Sequence, residues 1–177
     1  MGIDETITIV EYNELWPDLY EQEENKLYKV FGDMAIEIQH FGSTSVPGMM
    51  AKPIIDILVG VKNLDLGKSI NLTLNQHGYE GFGEAGVPGR IYFRNRGKQA
   101  FNLAVVVWNG EQWSNNILIR DYLRRNPEIA EEYSNRKINA VSKGITTLLS
   151  YSDEKAQYVY SLLEKARHST KRNTTIE

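Results

Sequence analysis

A chain of 177 residues, 41% of them hydrophobic and 24% charged, can bury the core of one domain without disulfide staples. Its 20 Lys and Arg against 23 Asp and Glu give a net charge of −3, which excludes the basic excess of a dedicated nucleic-acid binder. The absence of cysteine removes thiol nucleophiles, thiolate metal sites and disulfides. The opening MGIDETITIVEY carries acids and no apolar run of signal-peptide length. The longest strongly apolar run, Pro53 to Val61, is too short to cross a bilayer. The expectation is a cytoplasmic protein with no membrane partner.

Thr6 to Tyr12 alternates as a short strand does. Leu15 to Phe31 places Leu15, Leu19, Leu27, Val30 and Phe31 on one helical face, with Pro17 tolerated in the first turn and Gly32-Asp33 as the stop. Ala35 to Phe41 alternates again and predicts a strand. A loop with glycine and proline, Gly42 to Pro53, leads into Ile54 to Val61, which is apolar at nearly every position except Asp56. Such a run belongs in the middle of a sheet, buried on both faces. Leu64 to His77 reads as an amphipathic helix. Tyr79 to Gly89 reads as a short strand and a glycine-rich loop. Arg90 to Arg96 and Gln99 to Trp108 form a hairpin around Gly97-Lys98. The rest is helical: Trp113 to Arg125, a second helix from Pro127, and a last one capped by Asp153. The fold class is α/β (α+β): a small mixed sheet covered by helices, with a helical C-terminal half. Residues 1–166 are expected to form one domain and 167–177 a flexible tail.

The segment from Ile36 to Val61 carries the chemistry. A strand runs into Gly42-Ser43, and 13 positions after Ser43 an aspartate sits inside a buried strand. A carboxylate there needs a cation, a metal or hydrogen bonds, because an unpaired buried charge is costly. Glycine lets backbone approach a phosphate closely, and Ser43 and Thr44 add hydroxyl donors. Asp56 is placed to hold Mg²⁺ against that phosphate, and Lys52 to supply a point charge. Alternation sets Arg90, Arg94, Arg96 and Lys98 on one face of the hairpin, with Tyr92 beside them. A solvated sheet face is the bland reading of that run; a phosphate contact through Arg90 and Arg94 is the sharp one. His40 stands beside the loop as a core histidine or one that orients a ligand. Glu84 is either a spare carboxylate or a partner of Arg90.

The stretch GSTSVPGMMAKPIIDILV resembles the signature of the GrpB family, within the nucleotidyltransferase superfamily. Tyr79, Gly86 to Arg90, Tyr92-Phe93, Arg120 to Arg124 and Pro127 to Lys137 extend the resemblance from about Val10 to Leu163. It implies a nucleotidyltransferase-like fold and a phosphate loop made by Gly42, Ser43 and Thr44. It also implies a metal-binding strand of pattern Asp-x-Asp/Glu, or, on a later strand, His-Leu-His. Here those positions read Asp56-Ile57-Leu58 and Asn102-Leu103-Ala104. The expected metal ligands therefore reduce to Asp56 and the Asn102 carbonyl oxygen, and the expected cofactor to weakly held Mg²⁺ that relies on a nucleotide's own phosphates. The resemblance implies nucleotidyl transfer from an NTP to a small acceptor, with Asp56 as the catalytic carboxylate. The alternative is a non-catalytic module that binds a nucleotide or a CoA-related phosphorylated ligand, since family members occur fused to dephospho-CoA kinase domains.

Overall fold

The computed structural model describes residues 4–174, with side chains to residue 170. Five strands form one mixed sheet in the order β1-β2-β5-β4-β3. β1 (Ala35–Phe41) pairs antiparallel with β2 (Ile54–Val61), as expected for the two strands that flank the loop. β2 pairs parallel with β5 (Ala100–Val107), and β5 pairs antiparallel with β4 (Arg90–Arg96) across the predicted hairpin. β3 is only Glu80–Gly81 at the far edge. Placing β2 between two partners accounts for its apolar run: Ile55, Ile57, Leu58, Val59 and Val61 are all buried.

The two sheet faces are covered differently. Ile55, Ile57, Val59, Leu103 and Val105 join Trp16, Leu27 and Phe31 of helix α1 (Trp16–Phe31) and Ile70 and Leu74 of helix α2 (Gly67–Gln76) in the main core. On the other face, Leu58, Ala104 and Val106 pack under Trp113 of helix α3 (Glu111–Arg125). The loop between β1 and β2 sends Val46 and Met49 into a third cluster. Their neighbours there are Leu123, Ala130 and Tyr133, from α3 and helix α4 (Pro127–Ser142), and Leu162 of helix α5 (Leu148–Thr174). Edge strand β1 is closed to further pairing by side chains: Ile38 N–H donates to the Tyr28 hydroxyl at 3.2 Å, and Arg120 donates to the His40 carbonyl at 3.0 Å.

Three segments differ from the sequence reading. Thr6 to Tyr12 is extended but makes only isolated bridges, Thr6 with Thr147 and Val10 with Ala51. Alternation there reflects burial of Ile7 against α4 and α5, not a ladder. The last helix starts at Leu148, so Asp153 lies inside it and does not cap it. The N-terminal segment supplies the cap instead: Leu148 N–H donates to the Glu5 carbonyl at 2.8 Å and Leu149 N–H to Asp4 Oδ1 at 2.9 Å. Finally, α5 runs on to Thr174, so the segment read as a tail from Arg167 is helical as far as it is described. Arg167 donates to Asn115 of α3 at 3.1 Å, and residues 175–177 lie outside the described part.

Candidate functional site

Register on the sheet decides what faces the loop. Asp56 lies opposite Phe41 on β1 and Asn102 on β5, and Asn102 lies opposite Arg94 on β4. Residues directly opposite in a sheet share a face. Asp56, Asn102, Tyr92, Arg94 and Arg96 therefore stand on the face that carries Leu58 and Ala104, below its apolar end. Arg90, Tyr92, Arg94 and Arg96 share this face, as the alternation of β4 implies.

The loop closes over Asp56 by a contact that only glycine permits. Gly42 has φ +69°, and a Cβ there would lie 2.5 Å from Asp56 Oδ2. The other carboxylate oxygen, Oδ1, accepts the Asn102 amide N–H at 2.7 Å. The Asn102 carbonyl oxygen is turned the opposite way and accepts from the Tyr92 hydroxyl at 2.7 Å and from Arg96 at 2.9 Å. Arg96 in turn makes a two-pronged pair with Glu5 at 2.6 and 2.9 Å.

Ser43 opens a single 3₁₀ turn, Ser43–Ser45, and its hydroxyl accepts the Lys137 ammonium at 2.6 Å. Lys137 also donates to the Met50 carbonyl at 2.8 Å and lies 4.3 Å from the centre of the Tyr133 ring. It is 3% exposed. Burial drives its pKa well down, the charges of Lys155 and Lys52 push the same way, and Asp56 opposes them. Burial also pulls Lys155, 5.4 Å above the Tyr151 ring, down to about 8, with Lys52 adding to the fall and Asp56 resisting it. Lys52 is lowered by burial too, raised by Asp56 and lowered by Arg96. Arg90 is lowered by burial and raised by Tyr92 and then Asp56. So three lysines and Arg90 lie within electrostatic reach of one partly exposed carboxylate.

Of the residues singled out from sequence, Gly42, Asp56 and Asn102 are in direct contact, Ser43 follows in the same turn, and Lys52 and Arg90 lie within electrostatic reach of Asp56. Arg94 is buried on the same face. Its guanidinium lies 3.7 Å from Glu5 and 3.6 Å from Glu80 and stacks 4.4 Å from the Phe82 ring, so it is occupied structurally. Glu84 is exposed at the rim. Its carboxylate accepts Gly89 N–H at 2.9 Å, and it is its backbone carbonyl, not its carboxylate, that Arg90 contacts. His40 and Thr44 turn elsewhere. His40 lies opposite Ile57, on the α1 side of the sheet. There its Nε2 hydrogen-bonds Thr44 Oγ1 at 2.9 Å, and its ring stacks on Tyr20 at 4.7 Å. That side holds a groove of about 1020 Å³ lined in part by Tyr12, Tyr20, His40, Pro47 and Arg124, so the loop forms one of its walls.

Sequence reading missed Lys137 and Lys155. Its usable signal was position: Lys137 falls on the buried stripe of α4 with Ala130, Tyr133, Ser134 and Ala140, where a lysine is out of place.

The nucleotidyltransferase resemblance implies a divalent-metal pair, and the residues present do not fit one. Two steps along β2 from Asp56 on the same face stands Leu58, fully buried against Ala104 and Trp113. The β5 positions beside Asp56 and Leu58 are Asn102 and Ala104. The Asn102 oxygen, expected to ligate Mg²⁺, is taken by Tyr92 and Arg96, while its N–H faces the carboxylate. Among the described residues no group of three or more His, Cys, Asp or Glu is arranged to hold a metal, and no helix is long and apolar enough to cross a membrane.

The family profile described as "GrpB protein" matches residues 6–165. "Glutamate-rich protein GrpB" of Alkalihalophilus pseudofirmus is 36% identical over 166 residues, covering 90% of this chain and 95% of that one. "UPF0157 protein YqkA" of Bacillus subtilis is 33% identical over 162 residues, 91% of this chain but 47% of its own length, so the chain spans about half of that relative. The crystal structure of the conserved protein GrpB from Enterococcus faecalis matches with a TM-score of 0.84 at 28% identity, over 92% of this chain and 99% of that one.

Proposed function

This chain belongs to the GrpB family, and from that premise we propose that its Asp56 cleft binds a nucleotide or another phosphorylated small molecule by the phosphates. The observation that carries the reading is the buried Lys137, whose ammonium meets the Ser43 hydroxyl at 2.6 Å beside the contact of Gly42 with Asp56, with Lys52, Lys155 and Arg90 within electrostatic reach of Asp56. Charges of one sign held together repel, as the downward pull of the lysines on one another's pKa records. A phosphate oxyanion relieves that repulsion and accepts charge-assisted hydrogen bonds from the same groups. Ser43 brings its hydroxyl to the site, and Gly42 lets the chain approach without a side chain between.

Binding is better supported than nucleotidyl transfer. Transfer needs charge neutralised at the attacked phosphorus and an activated acceptor, and the strand position for a second carboxylate is Leu58 inside an apolar cluster. The test is a titration of the full chain with ATP, dephospho-CoA and inorganic tripolyphosphate, followed by calorimetry, for wild type and Lys137→Gln. Saturable binding is expected for at least the tripolyphosphate. Loss of one charge-assisted contact should weaken it by roughly 10- to 100-fold in the variant. Absence of saturable binding by all three ligands would discard the reading.

A further inference from the structure

Resting on that phosphate-binding reading, we infer that the cleft takes its polyphosphate ligand as the free anion, with Lys52, Lys137 and Lys155 in the place that a divalent metal fills in metal-dependent phosphoryl sites.

Four independent features of the cleft converge on this. A metal pair needs several hard oxygen ligands on one face. Asp56 is the carboxylate of this one, and its next neighbour along the strand is a leucine packed on Trp113. The Asn102 amide is held in the orientation that rejects a cation. Its oxygen serves two donors, Tyr92 and Arg96, and its N–H points at Asp56. Arg96 has no acceptor to offer, so this orientation is enforced and not a free choice of the amide. One oxygen of Asp56, Oδ1, is engaged by Asn102, and Oδ2 lies close over Gly42, where a Cβ would stand 2.5 Å away, so this carboxylate has one oxygen to give a cation. Finally, Lys137 meets Ser43 at 2.6 Å, and Lys52, Lys155 and Arg90 lie within electrostatic reach of Asp56, so basic side chains stand where a metal would need further oxygen ligands. Arg96 adds little to that surplus, since Glu5 neutralises it at 2.6 Å.

The lysines come from three separate elements, the loop, α4 and α5, so the clamp exists only where these pack together. Lys137 is oriented by the Met50 carbonyl and the Tyr133 ring and presents its remaining donor capacity at Ser43. Within this arrangement Asp56 has a different task from metal ligation. Its charge opposes the fall that burial and mutual repulsion impose on Lys52, Lys137 and Lys155, as Glu5 also does at Lys52.

A metal site and a lysine clamp predict opposite signs. Calorimetric titrations of the full chain with ATP and with inorganic tripolyphosphate are run in EDTA and again in excess Mg²⁺. The clamp predicts binding in EDTA that is unchanged or weakened by Mg²⁺, because the chelated phosphate presents less negative charge. It also predicts that Asp56→Asn, which keeps an acceptor for Asn102, still binds in EDTA, whereas loss of a metal-ligating carboxylate would abolish Mg²⁺-dependent binding. Binding that appears or tightens only with Mg²⁺ overturns this inference and leaves the phosphate-binding reading standing. No binding of either ligand in either buffer overturns both. The wild-type titrations decide the matter even if the variant is unstable. ATP bound in EDTA and tripolyphosphate not bound would also overturn the clamp, since the affinity would then come from the nucleoside.

Discussion

On the α1 side of the sheet, His40 shares a hydrogen bond with Thr44, stacks on Tyr20, and is pushed down to about 3 by burial, with Arg124 and Arg120 adding to the fall. On the α4 side of the same loop, burial and repulsion also act, but on lysines that remain clustered around Asp56. The first side resolves its electrostatic conflict by leaving a group neutral. The second leaves the conflict in place. A protein selected for stability alone would replace Lys137 by an apolar residue, since a buried charge gives less than good packing does. Retained strain of this kind is what a binding site for an anion needs, because the ligand supplies the missing compensation.

Three substitutions or conditions break or sharpen that contrast. The largest effect belongs to the main core. Leu103→Ala, at a fully buried position among Ile57, Val105 and Phe93, should cost about 3 kcal/mol of unfolding free energy in urea melts. The native fraction should still bind tripolyphosphate normally; a matching loss of affinity would mean that the two faces are not independent. The next effect is the pH response of His40. Its folded-state pKa lies below the unfolded value of about 6.5, so the unfolded chain binds more protons between the two, and stability falls as pH drops through that window. Between pH 7 and pH 5 this amounts to about 2 kcal/mol at most, and His40→Gln should remove that share of the pH slope.

The smallest effect has the opposite sign. Lys155→Met should stabilise the protein at neutral pH by about 1 kcal/mol, because it removes a cation that burial and Lys52 disfavour. In wild type the folded pKa of about 8 lies below the unfolded value. The unfolded chain therefore holds more protons from there up to about pH 10.4, and stability from this group rises with pH across that range. Thermal melts at either end should show the rise in wild type and lose it in the variant. Ligand affinity should move the other way. It is full below about pH 8 and declines above it as Lys155 loses its proton. A Lys155→Met protein less stable than wild type at neutral pH would show that the amine is a structural partner and not stored repulsion.

The strands were legible because their signals are local. Alternation marks β1, the unbroken apolar run marks β2 as central, and Gly97-Lys98 marks the hairpin. The same local signal misled at Thr6 to Tyr12, where alternation produces two isolated bridges and no ladder. It misled again at Asp153, because the group that caps α5 is Asp4, 145 residues away in the chain. Gly42, Ser43 and Asp56 could be read as a site because a glycine-serine turn and a charged residue in an apolar strand are both visible within a short window. Lys137 reaches Ser43 across 94 positions, and no window-based reasoning connects them.

The sequence by itself determined the family, the element order, the charge types available and the absence of a second carboxylate beside Asp56. Tertiary structure decided what those residues mean to one another. Parallel pairing of β2 with β5 sets Asp56 opposite Asn102, and antiparallel pairing of β5 with β4 brings Tyr92 and Arg96 against the same amide. An amide has one acceptor end and one donor end. With donors fixed on one side and a carboxylate on the other, its orientation follows. The family pattern made Asn102 a candidate metal ligand; from register it is a hydrogen-bond donor to Asp56, and two of the lysines within reach of that carboxylate, Lys137 and Lys155, come from helices far along the chain.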